Sequence, residues 1–193
     1  MSFKMFFQIY KVKIITSICI ILAICGILLF IMNQNNIISL PFIPSRKIPY
    51  SSITSSDNAF KLTFDSSYGL KNIKTNSYII NLINSDNFSF LVSSIPKYNF
   101  KLKEILESDK QTFLKSFKNY TQITNVKEEK YNNISGYSYF IIYSENSIEY
   151  KLIEFITEID NTLYFFDIQF PLKQERKYQT IANELLNSLT IIK

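Results

Sequence analysis

The 193-residue chain carries 21 Lys and Arg against 16 Asp and Glu, a formal net charge of +5, and has no histidine. The missing histidine removes Ser-His-Asp and Cys-His nucleophilic machinery and, with it, the usual zinc sites. Both cysteines, Cys19 and Cys25, fall in one apolar run, so the rest of the chain can hold neither a disulfide nor a thiolate site.

Residues 1–13 interleave Lys4, Lys11 and Lys13 with Phe3, Phe6, Phe7 and Tyr10, a mixture that suits the lipid headgroup boundary. From Ile14 to Met32 the chain has no charge. At about 1.5 Å per residue this run reaches about 28 Å, close to the roughly 30 Å hydrocarbon core of a bilayer. It is expected to be a transmembrane helix. Lysines before the run, and no basic residue after it until Arg46, place residues 1–13 in the cytoplasm and the remainder outside. No A-x-A-like cleavage site lies between Met32 and Leu40, and Leu22-Ala23-Ile24-Cys25 departs from a bacterial lipobox at Ile24, so the run reads as an uncleaved signal anchor. The expected location is the cell membrane, with an extracytoplasmic domain. Outside the anchor, cations alternate with acids and the excess falls to +2. No nucleic-acid surface is predicted.

Residues 33–57 read as a linker, with Pro41, Pro44 and Pro49 and a Ser/Thr tract from Ser51 to Ser56. A single domain then fills 58–193. Phe60, Leu62 and Phe64 alternate with polar residues through Asp65 and predict a strand. Tyr78 to Asn84 and Phe88 to Ile95 flank the polar break Ser85-Asp86-Asn87 and predict a hairpin. Lys101 to Asn119 predicts a helix, with Leu102, Ile105, Leu106, Phe113 and Phe117 on one face. Asp109 falls inside that apolar stripe, either as a buried carboxylate with a raised pKa or as the point where the helix meets water.

Four strands follow, Gln122 to Tyr131, Tyr137 to Ser144, Ile148 to Ile159 and Thr162 to Phe170, separated by Asn-, Gly- and Ser-containing turns. In Tyr139 to Tyr143 and Tyr164 to Ile168 both alternating faces are apolar, which predicts a sheet covered on both sides. The last helix, Lys173 to Leu189, carries a stripe of Tyr178, Ile181, Ala182, Leu185, Leu186 and Leu189. The expected fold class is α+β: an antiparallel sheet of about six to seven strands with helices on both faces, preceded by one transmembrane helix.

Tyr137, Tyr139, Tyr143 and Tyr150 are candidates for an aromatic contact surface, core packing being the other reading. Asp86-Asn87 and Asp160-Asn161 lack the spacing of a calcium loop and read as turns. Ser94-Ile95-Pro96-Lys97 has a proline inside it and cannot present a helical Ser-x-x-Lys pair. No catalytic residue, metal ligand or cofactor is predicted.

The order strand, hairpin, helix, four-strand meander, helix resembles the PsbP-like fold of a photosystem extrinsic subunit, a Ran-binding import factor, bacterial effector chaperones and bacterial surface proteins. The resemblance rests on Phe60-Lys61-Leu62-Thr63-Phe64, Ile134-Ser135-Gly136-Tyr137, Asn161 to Phe166, and Glu184 to Leu189. It implies a non-catalytic binding or assembly module and carries over no functional residue. The expected function is therefore a single-pass, membrane-anchored module with a protein partner. The alternatives are a small-ligand or lipid-binding envelope domain and a cryptic hydrolase.

Overall fold

The computed structural model describes residues 24–25, 27–29, 32, 49–97, 99–116 and 119–192. The chain divides into two units, Met1–Ile48 and Pro49–Lys193. Most of the expected transmembrane helix over 14–32, and the linker through residue 48, lie outside the described residues. Residues 24–25, 27–29 and 32 are helical, and no helix among the described residues is long and apolar enough to cross a membrane.

In the second unit the strands are β1 (Tyr50–Thr54), β2 (Phe60–Asp65), β3 (Lys71–Asn72), β4 (Ile80–Ile83), β5 (Ser89–Pro96), β6 (Tyr120–Ile123), β7 (Lys127–Tyr131), β8 (Ile134–Glu145), β9 (Ile148–Ile159), β10 (Thr162–Pro171) and β11 (Thr190–Ile191). Two α-helices, α1 (Leu102–Ser116) and α2 (Glu175–Asn187), are set among them. An eight-stranded antiparallel sheet runs β3-β4-β5-β10-β9-β8-β6, with β7 also paired to β8, and a three-stranded sheet runs β1-β2-β11.

The α+β class and the antiparallel meander agree with the sequence reading; the strand count is higher. The segment expected as one strand, Gln122 to Tyr131, breaks at Thr124-Asn125-Val126 into β6 and β7, both paired with β8. β2 leaves the main sheet for the smaller one. The Ser/Thr tract placed in the linker is mostly β1, which pairs Ser51 with Phe64 and Ile53 with Leu62. Polar hydroxyl side chains are tolerated there because β1 is an edge strand covering the otherwise open flank of β2.

The long hairpins are closed by two-residue turns, Asn146-Ser147 and Asp160-Asn161, with all four residues at positive φ. That backbone matches the right-handed twist of the flanking strands. Their registers, Glu145 opposite Ile148 and Ile159 opposite Thr162, fix which side chains share a face.

Two cores result. On the inner face, α2 and β2 pack on the main sheet, and Phe166 is ringed by Phe60, Phe90 and Phe155 at centroid distances of 5.8, 6.0 and 5.7 Å. On the outer face, α1 packs mainly on β8 and β9, burying Leu106 against Tyr139, Ile141, Tyr143, Leu152 and Ile156. The outer face beyond them is only half covered: Asn81, Ile83, Leu91, Ser93, Phe165, Asp167 and Gln169 are all half-buried. The expectation that both faces are covered therefore holds for β8 and β9 and fails towards β5 and β4, whose sequences alternate rather than run continuously apolar.

Candidate functional site

Side chains alternate across a strand, so register alone places residues from different strands in a row. Asn81 of β4 stands opposite Leu91 of β5, Leu91 opposite Asp167 of β10, Asp167 opposite Glu154 of β9, and Glu154 opposite Tyr139 of β8. Leu152 and Ile156, two residues to either side of Glu154, belong to the core under α1. The row therefore lies on the outer face. Its Tyr139 and Glu154 end is covered, 1% and 8% exposed, and its other end is half open.

Among the described residues, three buried side-chain atoms lack a hydrogen-bond partner: Asn81 Oδ1, Tyr139 OH and Glu154 Oε2. All three belong to this row. Folded proteins pair nearly all such atoms, and each orphan costs about 1–3 kcal/mol. Tyr139→Phe, which removes one orphan and leaves the ring in place, is accordingly expected to hold stability unchanged or raise it by up to about 1 kcal/mol in urea unfolding. A clear loss would mean that the hydroxyl has a partner after all.

The electrostatics follow from the same geometry. Burial pushes Glu154 up to about 9, and the neighbouring Asp109 carboxyl adds to the rise. Burial raises Asp167 to about 6, helped by the charge of Asp109. The Tyr139 phenol is raised by burial and then by Glu154. None of the three carboxyls has an ion-pair partner among the described residues. The nearest cation on α1, Lys110, lies 3.7 Å from Glu107 and 6.0 Å from the centre of the Tyr139 ring.

Asp109, singled out from the sequence, is half-buried on α1 beside the row; the most buried carboxyl is its neighbour Glu154. The signal for Glu154 was present in the chain as a lone acid inside Leu152-Ile153-Glu154-Phe155-Ile156. Of the four tyrosines, Tyr139, Tyr143 and Tyr150 are buried and Tyr137 is half-buried against the same core. Tyr143 stacks on Tyr150 at 5.7 Å and meets Phe113 edge-on at 5.9 Å. The apolar stripe of α1 lies over them, so this aromatic group is core in the folded domain rather than an open contact surface.

What is open lies beside α1. Phe100, Glu104, Ile105, Ser108, Asp109, Thr112 and Phe165 line a cleft of about 550 Å³, and Phe100 at its lip is 63% exposed. Beside α2 a second cleft, of about 630 Å³, is lined by Tyr68, Lys173, Arg176 and Lys177, with Lys177 engaged by Asp86 at 3.1 Å and by the Tyr178 hydroxyl at 3.3 Å. Among the described residues no group of three or more acidic, Cys or His side chains is placed to hold a metal ion.

No family model and no curated protein matches the chain. Solved structures do match. The chain is similar to the cyanobacterial PsbP, CyanoP, of Synechocystis sp. PCC 6803, at 10% identity and TM-score 0.56, over 79% of this chain and 100% of that one. The domain has the PsbP-like fold. It is also similar to LpqN of Mycobacterium tuberculosis, at 10% identity and TM-score 0.55, over 77% of this chain and 93% of that one. The Saccharomyces cerevisiae Ran-binding protein Mog1p matches at 11% identity and TM-score 0.52, over 76% of this chain and 97% of that one. At such identities the PsbP-like likeness is one of fold alone.

Proposed function

We propose that the protein is a single-pass, membrane-anchored, extracytoplasmic module that binds a protein partner or assists assembly at the envelope, without catalysis. The observation that carries this reading is the open cleft beside α1, where exposed Phe100 joins Ile105 and Phe165 over a half-covered sheet face. Exposed aromatic and aliphatic side chains around a concave face mark binding surfaces. Two relatives in fold support it: Mog1p is a Ran-binding protein and LpqN is involved in cell envelope biogenesis. The uncharged run from Ile14 to Met32 supports the anchor.

A hydrolase reading has the convergence of Asp109, Glu154 and Asp167 in its favour. Glu154 even has the raised pKa of a general acid, but α1 covers it and a general acid must touch substrate. The small-ligand reading has volume enough, since about 300 Å³ suffices, but the cleft is open to solvent rather than enclosed.

One experiment tests both location and partner. In the full-length protein in its own cells, Phe100→Cys is labelled from outside with a membrane-impermeant, thiol-reactive photo-crosslinker and then illuminated. Both native cysteines lie in the anchor run. Labelling in intact cells and one discrete protein adduct are expected. Labelling only after lysis would overturn the extracytoplasmic placement, and labelling without an adduct would overturn the binding reading.

A further inference from the structure

The cleft beside α2 differs from the one beside α1 in its charge. Lys173, Arg176 and Lys177 stand around it, and Tyr68 and Ile181 supply apolar lining. We infer that it is a lipid-docking surface, which seats on the phosphate headgroups of an anionic phospholipid leaflet. The inference rests on the reading of the chain as membrane-anchored and adds which face of the domain meets that membrane.

Two observations select this occupant. The first is charge complementarity. Lys173 and Arg176 are exposed and have no ion-pair partner among the described residues. The acids around them are engaged elsewhere: Asp86 pairs with Lys177 at 3.1 Å, Glu175 with Lys151 at 2.7 Å, Glu184 accepts the Tyr68 hydroxyl, and Asp65 accepts the Ser67 N–H at 2.8 Å. Two free cations at the rim of an apolar-lined cleft suit a surface of phosphates over acyl chains, where each cation favours docking roughly fivefold.

The second observation is where the chain enters the domain. Pro49 accepts the Ser66 N–H at 2.8 Å, and Ser66 opens the single turn that ends at Tyr68 in the cleft. Tyr50, next in the chain, is 67% exposed and suits the headgroup boundary. Residues 33–48 separate Pro49 from the apolar run. As a coil they span roughly 20–25 Å on average, less than the roughly 35–40 Å diameter of a compact domain of this size. The short tether therefore favours contact through the side it enters, and that side carries the cations. Because α1 packs on the opposite face of the main sheet from α2, docking would turn the cleft at Phe100 away from the lipid and towards a partner.

The test uses the full-length chain with Cys19→Ser and Cys25→Ser in lipid nanodiscs doped with a headgroup-borne nitroxide quencher. A fluorophore is carried at Thr180→Cys beside the cleft or, as control, at Lys103→Cys, an exposed site on α1. With phosphatidylglycerol in the disc, quenching at 180 is expected to exceed that at 103 about fivefold or more, and to fall away in phosphatidylcholine alone or at high salt. The Lys173→Glu, Arg176→Glu double variant is expected to weaken docking by at least about twentyfold. Its acids stand at the start of α2, where a helix N-terminus favours them, so the fold is kept. Quenching that ignores lipid charge, survives the double variant, or is equal at 103 would overturn the docking surface and leave the anchored module intact. A discrete protein adduct from residue 180, with the photo-crosslinker described for residue 100, would make the occupant a protein and overturn it as well. Release of the unmodified chain from its own membranes by alkaline carbonate would overturn the anchor and this inference together.

Discussion

Glu154→Gln is expected to stabilise the domain at neutral and alkaline pH and to flatten its pH profile. In the wild type the folded state keeps a proton on Glu154 up to about pH 9, whereas the unfolded chain gives it up near the ordinary value of 4.5. Between those values the folded state binds more protons than the unfolded one. Stability is therefore fully present below about 4.5, falls as pH rises, and levels off above about 9. Asp167 adds a smaller fall between 3.8 and about 6. If Glu154 titrated alone, the loss at pH 7.5 would be about 4 kcal/mol. Because its titration is tied to Asp109 and Asp167, the expected gain from the amide is roughly 1–4 kcal/mol at that pH, near zero at pH 4 and largest above pH 9. Urea unfolding of both proteins at pH 4, 7.5 and 9.5 measures it. Parallel profiles would show that Glu154 is not buried as described.

Gly136→Ala is expected to cost at least about 3 kcal/mol, the upper part of the range for overpacking. Gly136 on β8 stands opposite Thr157 on β9. A Cβ there would fall on the carbonyl oxygen of Ile156, inside van der Waals contact, and 2.6 Å from Phe155 Cε2. The phenylalanine ring can turn away, although it is 1% exposed and packed on Tyr131 at 5.0 Å and on Phe166 at 5.7 Å. The carbonyl can move only by loosening the β8–β9 ladder. Since that ladder sets Tyr139 opposite Glu154, the variant is expected to disturb the surroundings of Glu154 as well. A loss below about 1 kcal/mol in urea unfolding would mean that β8 lies farther from β9 than the register requires.

The parts of the fold that could be read from the chain are those where local chemistry and tertiary packing agree. β9 runs from Ile148 to Ile159, as alternation and the flanking turns predict, and the residues Tyr178, Ile181, Ala182, Leu185 and Leu186 of the α2 stripe are all buried. β1 was hidden because Ser51 and Ser52 carry no apolar signal; the strand exists because β2 needs a neighbour. Pattern alone could assign β2 a buried face, through Phe60, Leu62 and Phe64, but not a sheet. The row of Asp167, Glu154 and Tyr139 was illegible for a similar reason. Asp109 stood out because a helix makes its face visible in one segment, whereas Glu154 acquires its surroundings only when three strands fall into register.

The position of β2 between β1 and β11 bears on when the domain can form. Thr63 donates its N–H to Ser188 Oγ, 125 residues further along the chain, and Ile192 donates to the Ala59 carbonyl. Phe60, Leu62 and Phe64 share the core with Tyr178, Ile181 and Leu185. The first part of the core therefore has no lid until the last helix has been made. Closing so distant a contact is entropically slow, so during synthesis the growing chain holds an open apolar surface until α2 and β11 have been made. Assembly of this domain waits for its own last helix and strand, and until then the nascent chain depends on whatever shields exposed strands from one another.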